Sequence, residues 1–298
     1  MRIVTRPDFD GIVCAVLLYE ALDIVAPVVW VEPNDMQKDS TQIQKGDIIA
    51  NLPYDERCAL WFDHHYTNQI AGPFKGAFKI APSAAGIIYQ YFKGKFQRDY
   101  RELVQAADKI DSANLTLEEV LHPENHPYVL LSLTVSNEDQ PNEDYWNRLV
   151  ALFKKYNIRK ILKDPEVKQH CQSVTKQNDR YVEFLKTHTV LNQHVAITDF
   201  RPLDRPPSGN RFLVYSLFPE SYVNVRIRFE DRNKQMVVVN VGHSIFNPNC
   251  KVNVGLMLVH FGGGGHRGAG SARFPTSQSD DYIPRIIDGL VKNENNER

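Results

Sequence analysis

The sequence predicts an α/β protein, with a parallel-sheet domain at the N-terminus and a smaller α/β domain from residue 188 onward. Three observations carry that expectation. Short β-branched runs near the N-terminus are continuously apolar rather than alternating, the pattern of strands buried on both faces. From Ser83 to about Lys186 the apolar positions recur at helical spacing, and after Thr187 short strand-like runs return. A length of 298 residues, at about 150 per domain, agrees with two domains.

In chain order, Ile3-Val4-Thr5 reads as a strand, and Asp10-Gly11 opens a helix that runs from Ile12 to about Leu22. Val28–Val31, Asp47–Ala50 and Ala59–Phe62 follow as strands, joined by right-handed strand–helix–strand units. Pro82-Ser83 caps a helix carrying Ala84, Ala85, Ile87, Ile88 and Tyr91, and a second helix spans Arg98 to about Ile110. Residues 137–145 form an acidic turn. Mainly helical sequence from Trp146 to about Lys186 then links the expected domains, 1–187 and 188–298. Strands are expected at Val195–Thr198, Tyr222–Phe229 and Met236–Val241, with a Pro/Gly loop at 205–210 and a short helix inside Val252–Phe261. The polar tail 292–298 reads as frayed.

Composition bounds the function. A hydrophobic fraction of 42% suits a folded core, and no apolar run approaches the ~18–20 residues that cross a bilayer. The first eight residues already carry charge, unlike a secretory signal or transit peptide. With 35 basic against 36 acidic side chains, the chain does not coat long nucleic acid through global charge, although a local basic cleft stays open. Cys14, Cys58, Cys171 and Cys250 are scattered without a C-x-x-C pair, as in reduced thiols of a cytoplasmic protein. Nothing in the sequence sets an oligomeric state.

Three motifs stand above background. Arg6-Pro7-Asp8-Phe9-Asp10-Gly11 lies between a buried strand and a helix, where two carboxylates can serve a hard cation. Asp63-His64-His65 ends a strand at the same sheet edge and offers metal ligands and proton-transfer groups together. Gly262-Gly263-Gly264-Gly265-His266-Arg267 reads as a turn whose backbone N–H groups form an anion site, with His266 and Arg267 adding donors.

This order of motifs resembles the DHH/DHHA1 phosphoesterase superfamily, which includes RecJ-like exonucleases, hydrolases of short oligoribonucleotides, cyclic-dinucleotide phosphodiesterases and exopolyphosphatases. The resemblance spans nearly the whole chain. It implies two domains facing each other across a cleft, two divalent ions (usually Mn²⁺) in the first and substrate in the second. On that pattern Asp8 and Asp10 are ligands of separate metals, His64 binds the second metal, His65 faces the scissile phosphate, and Asp63 orients the histidines. Asp111 is the expected further carboxylate, with Asp108 three residues earlier as its competitor. Arg228 matches a phosphate-binding strand arginine; Arg226 shares its parity, and His243 is a weaker candidate.

The chain departs from the pattern twice. Val4 stands where the family has histidine, and the strand at Asp47–Ala50 ends in Asn51 where the family has a metal-bridging aspartate. A neutral amide cannot cancel the repulsion of two cations, so one tight Mn²⁺ (or Mg²⁺) is expected at Asp10, His64 and Asp111. Asn51 is at most a weak ligand, and any second ion is weak. The leading expectation is a metal-dependent phosphoesterase acting on a small ester: a short oligonucleotide, a linear or cyclic dinucleotide, or a nucleotide phosphate. The alternatives are a phosphate-binding regulator with a decayed site and an exopolyphosphatase-like hydrolase.

Overall fold

A computed structural model of the chain describes residues 1–36, 43–136, 141–204 and 207–297. Residues 137–140 of the expected acidic turn, 205–206 of the expected Pro/Gly loop and Arg298 of the tail lie outside them. Two compact units emerge: Met1–Leu115 with His122–Val174, and Thr116–Leu121 with Thr175–Arg298. Residue 188, expected as the domain break, is the last residue of a long helix, Pro165–His188.

The first unit is built on a parallel sheet of β1 (Ile3–Thr5), β2 (Val29–Trp30), β3 (Ile48–Ala50), β4 (Leu60–Asp63) and β5 (Gly76–Phe78), in the order β2-β1-β3-β4-β5. Along the chain the helices are α1 (Phe9–Leu22), α2 (Pro33–Met36), α3 (Ala84–Tyr91), α4 (Arg101–Asp111), α5 (Leu117–Leu121, in the second unit), α6 (Pro127–Ser136), α7 (Glu143–Lys155), α8 (Ile158–Ile161) and α9 (Pro165–His188). Ile3, Ile48, Ala50 and Phe62 pack into one apolar cluster with α1, α3 and α4. Their strand neighbours Val4, Ile49 and Trp61 pack on the opposite face with Val31, Ile43 and Leu52. Burial on both faces explains why these strands carry no polar alternation.

Three local details depart from the sequence expectation. Strand β5 is additional; Gly76 at its start has φ +118, and a Cβ there would stand 2.0 Å from the Trp61 carbonyl oxygen. Helix α4 begins at Arg101, because Asp99 accepts from the Arg101 N–H in a turn and Arg98 reaches away to the Phe153 carbonyl. Residues 112–136, unassigned from sequence, hold α5 and the buried helix α6.

The second unit holds β6 (Thr189–Asn192), β7 (Val195–Asp199), β8 (Val223–Phe229), β9 (Met236–His243), β10 (Gly263–His266) and β11 (Ala269–Pro275), ordered β10-β11-β9-β8-β7-β6. All neighbours run antiparallel except β7 and β8. Helices α10 (Leu213–Leu217), α11 (Val254–Val259) and α12 (Ser279–Lys292) complete it. Val225, Ile227, Val237, Val239, Ala272 and Phe274 meet Leu258, Ile286 and Leu290 in its core.

The glycine run is an edge strand, not the expected turn. Strand β11 approaches its backbone so closely at two positions that only hydrogen fits there: a Cβ at Gly263 would stand 2.3 Å from the Ser271 carbonyl oxygen, and one at Gly265 2.4 Å from the Ala269 carbonyl oxygen. The tail is also not frayed. Asn293 Oδ1 accepts from the Lys251 N–H at 2.7 Å, Asn296 Oδ1 accepts from the Asn253 N–H at 2.6 Å, and Glu297 pairs with Arg267. Side-chain amides cap these loop N–H groups, a contact that composition does not reveal.

Candidate metal centre

In the order β2-β1-β3-β4-β5, the chain steps from β1 to one side and then to the other. The carboxyl ends of β1 and β3 therefore flank the crevice where open α/β sheets bind ligands. Arg6, Asp8 and Asp10 follow β1, Asn51 follows β3, and His64 and His65 follow β4.

Asp10, His64 and Asp111 offer one ligand atom each, all within 4.8 Å of one another. Asp10 is almost fully buried in the first turn of α1, and its two oxygens accept from the N–H groups of Ala84 and Ala85 at 2.9 Å each. Those are the free donors at the start of α3, where a carboxylate also meets the positive end of the helix dipole. Ser83 caps α3 as its sequence predicts, accepting from the Gly86 N–H. His64 Nδ1 donates to the Ala81 carbonyl oxygen at 2.9 Å, which leaves the lone pair on Nε2. That Nε2 is buried, has no hydrogen-bond partner among the described residues, and lies 3.2 Å from Asp111 Oδ2 and 3.9 Å from Asp10 Oδ2. Burial, followed by repulsion among the carboxylates, pushes the carboxyls of Asp10 and Asp111 up to about 7. A buried imidazole lone pair between two carboxylates that resist ionising alone fits a divalent cation. Asp108 is turned elsewhere: it accepts from the Ser83 hydroxyl at 2.5 Å.

Asp63 is fully buried at the end of β4 and accepts from His65 Nδ1 at 2.8 Å and from Asn68 Nδ2 at 2.7 Å. The hydrogen bond to Asp63 holds the pKa of His65 above its ordinary value. Asp63, His64 and His65 form a second group of clustered ligand atoms. Asn68 was not foreseen from sequence; a side-chain amide five residues after an aspartate is no signal by itself.

Asp8 sits differently. Its Oδ1 caps α1 through the Gly11 N–H at 2.8 Å and accepts from Asn51 Nδ2 at 3.0 Å, while Arg6 Nε lies 3.2 Å from its Oδ2. Asn51 holds a left-handed backbone conformation with φ 57, and its Oδ1 is buried without a partner among the described residues. Val4 is fully buried in the apolar cluster with Ile49 and Trp61.

In the second unit, Arg226 and Arg228 share the sheet face opposite the core residues Val225 and Ile227. Arg228 is exposed and donates to the Phe229 carbonyl oxygen, whereas Arg226 lies beside Tyr181. The register aligns Arg226 with Asn240, Asn240 with Ser271, and Ser271 with Gly264, a polar row across four strands. Asn240 and Ser271 were missed from sequence because only the pairing brings them level. Gly263, Gly264, Gly265 and His266 lie in β10, and Arg267 follows it. His243 is structural here: its Nε2 bonds to the Val252 carbonyl at 3.0 Å, and burial lowers its pKa.

No protein-family model matches the chain, and no curated protein matches it. Solved structures do. A pGpG-specific phosphodiesterase of Vibrio cholerae is 30% identical over 98% of this chain and 99% of its own, with a TM-score of 0.82. The RecJ structure with Mn²⁺ from Thermus thermophilus matches at 12% identity and TM-score 0.65, over 98% of this chain and 52% of its own. An exopolyphosphatase-related protein of Bacteroides fragilis matches at 12% and TM-score 0.54, over 98% and 91%. Fold and site together define a metal-dependent phosphoesterase, a hydrolase of phosphate esters. The chain belongs to the DHH/DHHA1 phosphoesterase superfamily. No helix among its described residues is long and apolar enough to cross a membrane.

Proposed function

We propose that the chain hydrolyses the phosphodiester of a short linear dinucleotide such as pGpG, with one divalent ion, Mn²⁺ or Mg²⁺, held by Asp10, His64 and Asp111. The observation that carries this reading is His64 Nε2, buried between two carboxylates with no hydrogen-bond partner among the described residues. The full-length relative specific for pGpG supports the substrate class. A divalent ion in this position supplies Lewis acidity toward phosphoryl oxygens and lowers the pKa of water.

The chain's own residues do the rest. Asp63 fixes Nδ1 of His65, so that Nε2 serves to exchange a proton with the reacting ester or to donate to a phosphoryl oxygen. Arg228, the strand Gly263–His266 and Arg267 are assigned to substrate phosphate on the family resemblance, with Arg226 on the same face as Arg228. Small phosphorylated substrates, rather than long nucleic acid, and a cytoplasmic location accord with a net charge of −1 and scattered free cysteines.

Three features favour a single tight ion. Asn51 is an amide and donates to Asp8, Asp8 already receives two hydrogen bonds and an ion pair with Arg6, and Val4 is packed in hydrocarbon. The test combines Mn²⁺ equilibrium dialysis with hydrolysis of pGpG, cyclic dinucleotides, short oligoribonucleotides, bisphosphorylated adenosine and polyphosphate, beside the His64→Ala variant. One Mn²⁺ per chain and turnover of pGpG, both lost in the variant, are expected. No turnover of any substrate would sink the assignment, and two tight ions would refute the count.

A further inference from the structure

We propose that Arg6 is a phosphate-binding residue of this site, its guanidinium held on Asp8 as a fixed cation beside the Asp10–His64–Asp111 group. The inference deepens the single-ion reading above and rests on it.

The loop after β1 is built to place this side chain. The Arg6 carbonyl oxygen accepts from the Asp8 N–H at 2.9 Å and lies under the first turn of α1. A Cβ at Gly11 would stand 1.9 Å from that oxygen, so the close approach exists only because residue 11 is glycine. Asp8 is itself immobilised by α1 and by Asn51, and its second oxygen meets Arg6 Nε at 3.2 Å. Glu32 Oε2 is 3.8 Å from the same nitrogen.

This arrangement engages one edge of the guanidinium and leaves the other. Among the described residues neither Nη of Arg6 has a hydrogen-bond partner, and the side chain is 38% exposed. A planar fork with two uncommitted N–H₂ groups matches the oxygens of a phosphate, which a point charge does not. Carboxylates crowd this edge, and an anionic ester approaching it meets repulsion from Asp8, Asp10 and Asp111. A resident cation with free donors relieves that repulsion where an amide at position 51 leaves the carboxylates unbridged.

The test uses the full chain and the variants Arg6→Ala, Arg6→Gln and Arg6→Lys, with circular dichroism as the folding control. The expected result is a loss in kcat/KM with pGpG of about 100-fold for Arg6→Ala, Mn²⁺ stoichiometry unchanged, and partial rescue by added guanidinium ion. Lysine and glutamine restore little. In the EDTA-treated chain, where no ion contributes, Arg6→Ala weakens equilibrium binding of pGpG by about tenfold or more. Activity and binding within threefold of the parent overturn the proposal. So does a loss that guanidinium does not rescue, or one accompanied by loss of Mn²⁺. If the parent chain itself binds two tight ions or does not cleave pGpG, the single-ion reading has failed instead, whatever the variants do.

Discussion

His65 and Asp63 are joined side chain to side chain, with Nδ1 2.8 Å from Oδ1, although only one residue separates them along the chain. The bond holds the imidazole in one tautomer, and Asn68 steadies the carboxylate from its other oxygen. Asp63→Asn therefore lowers the pKa of His65 toward the ordinary value near ~6.5, read by NMR titration of the ring protons. kcat falls by about 10- to 100-fold while one Mn²⁺ is still bound. An unchanged histidine titration contradicts this.

The carboxyls of Asp10 and Asp111 are both raised to about 7, first by burial and then by repulsion from neighbouring carboxylates. Carboxyls raised above an unfolded value near ~4 make the metal-free folded chain hold protons that the unfolded chain releases. Their contribution to stability is fully present below about pH 4 and is lost as the pH rises through about 7. With EDTA, Tm falls over that window. The rise in Tm produced by Mn²⁺ grows over the same window, since the ion competes with those protons. Scanning fluorimetry at several pH values checks both slopes; a Mn²⁺ effect largest in acid opposes the prediction.

The glycines of β10 are not equivalent. A Cβ at Gly263 would meet Ser271 O at 2.3 Å, and one at Gly265 would meet Ala269 O at 2.4 Å from a φ of +147, but nothing lies within 4 Å of one at Gly264. Gly263→Ala is expected to cost about 2 kcal/mol or more, and Gly264→Ala about 0.5 kcal/mol or less, by urea denaturation. A stable Gly264→Ala chain that loses pGpG affinity identifies that face of the strand as a substrate contact.

Asn293 ends α12 in a left-handed conformation, φ 50, while its amide binds Lys251 N–H at 2.7 Å and the Asn249 carbonyl at 3.0 Å. Asn293→Ala loses both bonds and the tolerant backbone, about 1–2 kcal/mol. Asn293→Gly keeps the backbone conformation and loses less. Equal losses for the two would show that the side chain's bonds alone matter.

The legible parts of this fold were those set by local pattern. The apolar runs of β1 to β4, the Ser83 cap and the helix inside Val252–Phe261 all follow from neighbours in sequence. Asp111 was preferred to Asp108 on the family resemblance, and the geometry sets Asp111 beside His64 and Asp108 on Ser83. What was hidden depends on distant partners. Gly76-Ala77-Phe78 is a strand only because β4 offers it an edge, and the glycine run is one only because β11 and α11 press on it. Arg6 stands out in no sequence pattern. Its significance lies in where the turn beneath Gly11 delivers it, which no spacing rule encodes.

The Asp10–His64–Asp111 group has a further consequence as polymer physics. Its members come from α1, from the loop after β4 and from the end of α4. An ion drawn between them cross-links the chain across two loops of about fifty residues each, a span over which closing a loop removes a few kcal/mol of unfolded-chain entropy. Unlike a disulfide, such a staple opens with a chelator. On the single-ion reading proposed above, the availability of divalent cation would set how long the first unit survives between openings, as well as how fast it turns over its ester.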